Sequence, residues 1–436
     1  MTRTDDRMDP QPAPEVTAVP TYAAVGIGAG PANLSLAALF RAAAPEEMAL
    51  FDRQPGPAWH PRLLYPGVTM QTSWMKDLVT LVDPQHPLTF MNYLVTTGRL
   101  YNLLNAQFDT IPRLEYVRYL EWASERIPHL HWDVEVDRVS HAEEGFTVYS
   151  RDVPVARCQH VVLGVGTEAY VHPSLADLPA EQVCVPDDLA SRVDRMTERS
   201  EPIAVVGGGQ TGAECVLELL SRGFTDIRWI GRRPWFQPMD DSPPANDFYR
   251  PAYQEFLQGL ARSSRQRLVE GQTLTGDAIT PATIRALYQA NYSGLLALNR
   301  FPVTMFPGRN VTAGEAGPDG TVLLHASGAE GQERHEVRYA VLATGRRPGP
   351  VPFDQELLDR MELDDAGELV VGEDYAVRWK GAGEHRIYAL NRARLSHGIA
   401  DANLTLLPIR SALVLNSMFE RQLFEIQDDL LPVRWG

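Results

Sequence analysis

The sequence predicts an α/β fold with two Rossmann-like dinucleotide-binding domains and a smaller, mostly helical substrate-binding region. Two observations predict it. The glycine loops GAGPAN (28–33) and GGGQTG (207–212) each stand between a short apolar run and a helical pattern. A further apolar run follows each helical pattern, at 48–51 and 227–230, and completes a βαβ unit. The chain has 436 residues, which is enough for two or three hydrophobic cores.

The first unit predicts a phosphate-binding turn. Gly28 permits a tight turn after the strand, Gly30 lets the backbone approach a pyrophosphate, and Asn33 takes the position of the usual third glycine. The helix that follows points its N-terminal amides at the phosphates. Asp52, at the end of the next strand, is placed to bond a ribose hydroxyl. The predicted cofactor residues of this unit are Gly28, Gly30, Pro31, Asn33 and Asp52.

The second unit predicts a different dinucleotide. Its next strand ends in Arg232 and Arg233 instead of an acid, and arginine suits the 2′-phosphate of NADP, so NADPH is favoured over NADH. The alternative is that the two arginines form a solvated strand end. The predicted cofactor residues of this unit are Gly207, Gly209, Gln210, Thr211, Gly212, Arg232 and Arg233.

Two dinucleotide sites in one chain indicate hydride transfer from nicotinamide to flavin. Dithiol reductases need a CxxC pair, which this sequence lacks, so molecular oxygen is the expected acceptor. In chain order we predict a disordered tail at 1–20, the first part of an FAD-binding domain at 21–185, an NADPH-binding domain at 186–340 that includes a helical substrate-binding segment at about 243–300, and a C-terminal part of the FAD-binding domain at 341–436.

Weaker patterns predict the remaining elements. The predicted helices lie at 114–127, 252–260, 281–298 and about 406–423, and the predicted later strands at 339–345 and 387–389. The irregular segment 55–105, rich in Trp and Pro, is long enough to suggest a functional role.

Composition excludes several classes of protein. The net charge of −16 and pI near 5.2 argue against nucleic acid or an anionic membrane as partner. The uncharged stretch 22–40 is as long as a membrane span, but its glycines and proline at fixed offsets favour the dinucleotide loop. Cys158, Cys184 and Cys215 have no metal-site or disulfide spacing and suit a reducing compartment. With no signal peptide at 1–20, we expect a cytoplasmic protein without a bound metal.

Longer motifs resemble one family. The stretch from 22 to 436 resembles the N-hydroxylating flavin monooxygenases of siderophore biosynthesis, and most closely their L-lysine N6-monooxygenase branch. The motifs that carry the resemblance are GIGAGPANLSLA, AWHP, MQTSWMKDLVTLVDP, FMNYL, VVGGGQTGAE, FQPMDDSPPAND, ATG at 343–345 and SHGIADANLTLL. The resemblance implies FAD, NADPH, molecular oxygen, an amine substrate hydroxylated through a C4a-hydroperoxyflavin, and a homotetramer.

The resemblance also implies site residues. Trp59, His60 and Gln71 look like residues that line the flavin, and Gln71 also counts among the catalytic residues. Lys76 resembles the lysine that holds the amino-acid carboxylate and contacts NADP, and Asn246 resembles the asparagine that bonds substrate and nicotinamide. Asn291 is similar to a second substrate asparagine of the ornithine enzymes.

A C-terminal segment completes the implied site. The residues Asn403, Leu404 and Thr405 resemble the segment that returns to the flavin, and Leu404 is also a candidate substrate contact. Each candidate has a simpler structural interpretation. Tryptophans often belong to the core, a single lysine is often a solvated charge, and asparagines often cap turns.

The amine itself is predicted less directly. Lys76 favours an amino acid over a diamine, because a cation complements a carboxylate and repels an ammonium group. L-lysine is the expected substrate, with L-ornithine, cadaverine or putrescine as alternatives. A carbon- or sulfur-oxygenating enzyme and a non-catalytic flavin-binding redox sensor are further alternatives. Trp74, Pro244 and Ala245 depart from the family pattern and could reshape the substrate mouth.

Overall fold

The computed structural model describes residues 18–71, 73–401, 403–428 and 430–436. Most of the tail predicted at 1–20 lies outside these residues. The strands, in chain order, are β1 Thr21–Ile27, β2 Met48–Phe51, β3 Leu130–His131, β4 Arg138–Ala142, β5 Gly145–Ser150, β6 Val153–Leu163, β7 Thr167–Ala169, β8 Val183–Cys184, β9 Ile203–Val206, β10 Ile227–Gly231, β11 Val303–Pro307, β12 Asn310–Ala316, β13 Val322–Gly328, β14 Gly331–Val337, β15 Tyr339–Leu342, β16 Arg346–Pro348 and β17 Arg386–Ala389.

The α-helices alternate with these strands only in part. In chain order they are α1 Pro31–Ala43, α2 Phe90–Thr96, α3 Leu100–Ala106, α4 Arg113–Ser124, α5 Pro186–Arg192, α6 Gln210–Ser221, α7 Pro243–Asn246, α8 Pro251–Gln258, α9 Arg262–Gly271, α10 Thr273–Gly276, α11 Pro281–Leu298, α12 Gln355–Leu358, α13 Arg394–His397 and α14 Leu407–Met418. Within the described residues, no helix combines the length and the apolar character that crossing a membrane requires.

The first sheet is built from both ends of the chain. Its order is β3-β2-β1-β6-β5-β4, and β17 pairs with β6 as well. The strands β3, β2, β1, β6 and β17 run parallel, whereas β4 and β5 form an antiparallel extension. One face packs against α1, α4 and α14, and the other carries a second apolar cluster. Because both faces are covered, β1 and β2 are continuous apolar runs, as a buried parallel sheet requires.

The second sheet is parallel throughout. Its order is β11-β10-β9-β15-β8, and α6 and α11 cover one face. The first strand of this sheet in chain order is β8, which pairs with β15 and lies before the domain boundary predicted at residue 186. With only two residues, β8 is too short to show a sequence pattern. With two sheets of this type, the predicted α/β fold class is confirmed.

Several predicted elements match the structure and others end earlier. The strand predicted at 48–51 and the helix predicted at 281–298 have the expected bounds, and the apolar run before GGGQTG forms β9. The strand predicted at 339–345 ends at Leu342, since the chain turns there and Gly345 has φ +110°. The helix predicted at 406–423 ends at Met418, two residues before Glu420 adopts φ +49°. The antiparallel sheet β12-β13-β14 was not predicted.

One segment of the first domain packs into the second. The 3-10 turn Pro61–Leu63 follows Trp59 and His60, and Leu63 and Tyr65 lie buried in the core around α6. The Tyr65 hydroxyl donates to the Pro186 carbonyl oxygen at 2.9 Å. The two dinucleotide-binding domains therefore share a core at this segment.

Candidate active site

The first glycine loop has the geometry of a phosphate cradle. Gly28 has φ +90°, and a Cβ there would lie 2.4 Å from the Gly164 carbonyl oxygen, so only glycine fits. Gly30 is the N-cap of α1, has no side chain to cap the helix, and a Cβ there would meet no atom within 4 Å. Pro31 is the first residue of α1. The free N-terminal amides of α1 thus face open space, which is what a pyrophosphate needs.

Asn33 stabilises this loop from the buried side. Its side chain is buried, and its Nδ2 donates to the carbonyl oxygens of Gly28 at 2.7 Å and Ile27 at 3.3 Å. A Cβ on Gly164 would collide with Asn33 Nδ2 at 2.4 Å. Asn33 therefore holds the loop in shape, and its contact with a cofactor stays a prediction.

Asp52 lies beside the same loop, at the end of β2. One carboxylate oxygen accepts from the Ala29 amide at 2.7 Å and the other accepts from the Gln54 amide at 2.8 Å. These bonds fix the carboxylate at the edge of the cradle, and each oxygen keeps acceptor capacity for a hydroxyl. The geometry fits the predicted ribose contact.

The second glycine loop repeats the arrangement. Gly207 has φ +134° and a Cβ there would lie 2.0 Å from the Ala343 carbonyl oxygen, whereas a Cβ on Gly209 would meet nothing within 4 Å. A Cβ on Gly212 would lie 2.1 Å from the Gly207 carbonyl oxygen. Thr211 is half-buried in the first turn of α6. The loop leaves the amides at the start of α6 open to a second anion.

Gln210 has an unexpected role in this loop. Its Nε2 donates to Glu214 at 2.9 Å and to the Thr283 hydroxyl at 3.0 Å, and its Oε1 accepts from the Thr280 amide at 2.9 Å. The side-chain amide is thus used within the protein. A contact of Gln210 with a nucleotide would have to come from its backbone amide.

The two arginines stand next to this loop. A Cβ on Gly208 would lie 3.5 Å from the Cα of Gly231, so the end of β10 borders the loop directly. Arg232 is exposed and has no hydrogen-bond or ion-pair partner among the described residues. Arg233 donates to the Asp277 carbonyl oxygen at 3.0 Å. Arg232 is therefore the freer of the two cations for a 2′-phosphate.

Trp59 and His60 lie where the two domains meet. Their rings are 4.9 Å apart, and the Trp59 ring also stands 5.5 Å from the Tyr116 ring. His60 adopts φ +47°, an uncommon conformation for a residue other than glycine. Burial, together with the charges of Arg346 and Arg113, lowers the pKa of His60 to about 4. The imidazole is therefore neutral at physiological pH.

The loop that carries Lys76 is held firmly. The neighbouring carboxylate of Asp77 is buried and accepts from the amides of Val79, Thr80 and Phe90 at 2.9, 2.7 and 2.6 Å and from the Thr80 hydroxyl at 2.7 Å. With these donors around it, Asp77 fixes the backbone from 76 to 80. Asp77 is not among the site residues that the sequence predicts, although it stands directly before the mostly apolar run 78–82.

Lys76 itself is a half-buried cation without a described counter-ion. No acid or carbonyl oxygen among the described residues bonds its Nζ, and burial lowers its pKa. Gln71, earlier in the same loop, is exposed, and Thr72 between them lies outside the described residues. Trp74 is half-buried and packs 6.1 Å from the Phe90 ring. An ammonium group that has lost part of its hydration without gaining a partner is suited to bind an anion.

The helical segment and the C-terminal segment meet at Tyr249. Its hydroxyl donates to the Thr275 carbonyl oxygen at 3.0 Å and is hydrogen-bonded with the Asn403 side chain. Asn246 lies just before the turn that contains Tyr249, exposed, and donates to the carbonyl oxygens of Asp241 and Ser242 at 3.1 and 3.2 Å. Leu404 packs against the same core as Trp59 and Trp74. The side chain of Thr405 lies outside the described residues.

Asn291, a predicted substrate contact, has its side-chain amide bonded within the protein. Asn291 lies on α11, is buried, and both ends of its amide bond Val303 of β11. Its Nδ2 donates to the Val303 carbonyl oxygen at 3.1 Å, and its Oδ1 accepts from the Val303 amide at 2.9 Å. Asn291 therefore fastens α11 to the edge of the second sheet.

A buried arginine supports the C-terminal segment and was also missed. Arg410 lies on α14 and donates to the Asn391 side chain at 2.7 Å and to the carbonyl oxygens of Ala400 and Asn403 at 3.4 Å each, and also to that of Asp401. These bonds hold the turn that leads into Leu404. The sign in the sequence was a single arginine within the apolar run 406–415.

Among the described residues there is no group of three or more His, Cys, Asp or Glu side chains able to bind a metal.

Comparisons with known proteins give a consistent result. The family model for L-lysine 6-monooxygenase/L-ornithine 5-monooxygenase matches residues 20–348. The chain is 31% identical over 419 residues to L-lysine N6-monooxygenase of Escherichia coli, covering 94% of this chain and 97% of that one.

Two solved structures are similar over nearly the whole chain. The desferrioxamine-pathway cadaverine monooxygenase of Erwinia amylovora, bound to FAD, has a TM-score of 0.88 at 24% identity and covers 95% of this chain and 99% of that one. An ornithine N-hydroxylase of Kutzneria sp. 744 has a TM-score of 0.83 at 26% identity and covers 92% and 99%. The first of these similarities shows the fold.

Proposed function

Because the chain belongs to the L-lysine 6-monooxygenase/L-ornithine 5-monooxygenase family, we propose that it hydroxylates the side-chain amine of L-lysine to N6-hydroxy-L-lysine, for siderophore biosynthesis. The chain is a flavin-dependent N-monooxygenase of the type that acts on lysine, ornithine or diamines. L-lysine is the specific part of the proposal.

FAD and NADPH are its cofactors, and the two loops fit them. The open space above Gly30, the uncapped start of α1 and Asp52 would hold FAD, and the open space above Gly209 with Arg232 would hold NADPH. When bound, these groups supply the reducing equivalents and the activation of oxygen.

The half-buried ammonium of Lys76 is the observation that carries the choice of an amino acid. An unpaired cation in a partly desolvated site costs free energy, and the α-carboxylate of a substrate would offset that cost. A diamine would bring a second ammonium group to the same place and would be repelled. L-ornithine is one methylene shorter than L-lysine, which a pocket distinguishes by about 1–3 kcal/mol.

The remaining site residues have supporting tasks in this proposal. Asn246 would orient the substrate, and the half-buried Trp59 and Trp74 would keep water from the reacting centre. The amine must react as the free base, because a protonated amine has no lone pair, and free lysine has a pKa of about 10.4. The carboxylate anchor at Lys76 would leave the far amine in the less polar part of the site, where the neutral form is favoured.

The first experiment compares substrates. The purified protein receives FAD, NADPH and air, and hydroxylamine product is measured with L-lysine, L-ornithine and cadaverine. Product mainly from L-lysine supports the proposal. Product mainly from ornithine or cadaverine keeps the family and rejects L-lysine, while NADPH oxidation that yields only peroxide with all three rejects the proposed substrates. A protein that binds FAD but oxidises no NADPH would support the redox sensor.

A second experiment tests Lys76 directly. Lys76 and Lys380 are the only lysines in the sequence, and Lys380 is exposed, so K380A is a matched control for K76A. Reductive methylation with ¹³C labels the two lysines and the α-amino group and preserves their charges, and K76A and K380A assign the two lysine signals. We expect the pKa read from the Lys76 signal to lie below the ordinary value for a lysine side chain and to rise when L-lysine is added. An equal response to cadaverine would contradict the carboxylate role.

A further inference from the structure

A polar chain joins the two dinucleotide-binding domains. Arg113, the first residue of α4, pairs with Glu214 of α6 through two bonds, Nη2 to Oε1 at 2.9 Å and Nη1 to Oε2 at 3.3 Å. The two side chains are only 12% and 6% exposed. Arg113 Nη1 also donates to the Leu63 carbonyl oxygen at 2.9 Å. This buried, two-bonded pair is the geometry in which an arginine fixes an orientation.

The polar chain formed by Arg113, Glu214 and Gln210 begins at one predicted cofactor-binding segment and ends at another. At one end it reaches the turn Pro61–Leu63, directly after Trp59 and His60, which are predicted to line the flavin. At the other end Gln210, which follows the open Gly209, donates to Glu214 and is itself bound to Thr283 on α11. The polar chain thus runs from the predicted flavin wall to the predicted NADPH loop.

We propose that Arg113, Glu214 and Gln210 are positioning residues that set the orientation of the second dinucleotide site against the first. The inference rests on the proposed use of FAD and NADPH. Hydride transfer depends steeply on the distance and angle between the two reacting groups, and domains within one chain move relative to each other unless their interface is fixed. Leu63 and Tyr65 add apolar contact, which is less directional, and the Tyr65 hydroxyl adds a single bond to the Pro186 carbonyl oxygen. The buried two-bonded pair of Arg113 and Glu214 therefore supplies the main angular constraint.

The test uses variants of the pair and a control on the same helix. Arg113→Met removes the pair and leaves Leu63 and Tyr65 in place, Arg113→Lys keeps the charge without the two-bonded geometry, and Glu214→Gln keeps an acceptor without the charge. Arg118→Met is the control, because Arg118 pairs with Glu121 at 3.0 Å on the exposed side of α4. The lysine and glutamine variants keep the test informative if the methionine variant does not fold.

Two readouts are needed. Under anaerobic conditions, we expect Arg113→Met to slow reduction of the bound flavin by NADPH at least tenfold, with the Kd of NADPH changed less than threefold, and Arg113→Lys to recover part of the rate. In hydrogen–deuterium exchange without NADPH, we expect peptides spanning 60–70 and 210–216 to exchange at least fivefold faster in Arg113→Met, while peptides from β1 and β6 stay unchanged. Arg118→Met should match the parent in both.

The outcomes separate this inference from the proposed function. A parental reduction rate in Arg113→Met, or a slower rate with parental exchange at 60–70 and 210–216, would overturn the positioning role. Failure of the proposed function has another signature, namely that the unaltered chain gives hydroxylamine mainly from L-ornithine or cadaverine, or from none of the three amines.

Discussion

The two glycine loops have the same backbone geometry but are stabilised by different residues. In each, the first glycine has a positive φ, and a Cβ on it would collide with a carbonyl oxygen just after a neighbouring strand. This oxygen belongs to Gly164 for Gly28 and to Ala343 for Gly207. In each, the second glycine faces open space. The backbone paths are therefore equivalent, and the difference lies in what supports them.

The support comes from different places in the chain. The carbonyl oxygen of Gly28 accepts a hydrogen bond from Asn33 Nδ2 at 2.7 Å, and the carbonyl oxygen of Gly207 accepts one from Trp229 Nε1 at 2.8 Å. Where Trp229 supplies the donor, the third loop position is Gly212, and where Asn33 supplies it, that position is an asparagine. Both loops thus have a hydrogen-bond donor to their first carbonyl, whereas only one has a glycine at its third position.

The largest expected effect is on the first glycines. Gly207→Ala or Gly28→Ala should reduce the free energy of unfolding by more than about 3 kcal/mol, because a positive φ and a collision with backbone act together. Denaturation midpoints in urea measure this. Gly223→Ala is the control, since Gly223 has φ +84° but no atom closer than 4.0 Å, and should cost only about 1 kcal/mol. Equal losses at all three sites would show that the collision has no effect.

The second glycines should separate folding from cofactor binding. Gly30→Ala and Gly209→Ala meet no protein atom, so the free energy of unfolding of the cofactor-free protein should change by less than about 0.5 kcal/mol. Binding should weaken by roughly 2 kcal/mol, about 30-fold, for FAD in Gly30→Ala and for NADPH in Gly209→Ala. Titration of each cofactor into each variant is the measurement. Loss of the other cofactor instead would reverse the assignment of the loops.

The arginines that follow β10 should determine the preference for NADPH over NADH. Arg232→Ala should raise the KM for NADPH about tenfold and leave that for NADH unchanged, because one charge-assisted bond to the 2′-phosphate is lost. Arg233→Ala should have a smaller effect, since Arg233 already bonds the Asp277 carbonyl oxygen. Parallel changes for both nucleotides would place Arg232 away from the phosphate.

The smallest expected effect is on the two side chains that donate to the loop carbonyls. Asn33→Ala and Trp229→Phe each remove the donor to a loop carbonyl, and each should cost about 1 kcal/mol in the free energy of unfolding. Ser35→Ala is a nearby control on α1, because Ser35 donates to the Leu78 carbonyl oxygen outside the loop. If cofactor affinity falls in Asn33→Ala and Trp229→Phe but not in Ser35→Ala, loop support is the cause.

Local patterns carried the prediction of the fold. Both βαβ units could be predicted because strand, glycine turn and helix are consecutive in the sequence. The pairing of Arg113 with Glu214 could not, because 101 positions separate the two residues and Arg113 stands in none of the motifs. The bonds of Asn291 could not be predicted either, since its partner Val303 belongs to a strand that the sequence pattern did not reveal. Asp77 and Arg410 were missed because their tasks depend on carbonyl and amide groups that only the folded backbone brings to them.

The position of β17 in the first sheet has a consequence for synthesis. This strand is made after the whole second sheet, yet it pairs with β6 at His160–Leu163, close to the first glycine loop. While the ribosome is still adding residues before 386, that part of β6 has an unpaired edge, and exposed edges of apolar strands promote aggregation. We therefore expect chains that stop before β17 to accumulate in the insoluble fraction or on chaperones, even when their second domain is complete.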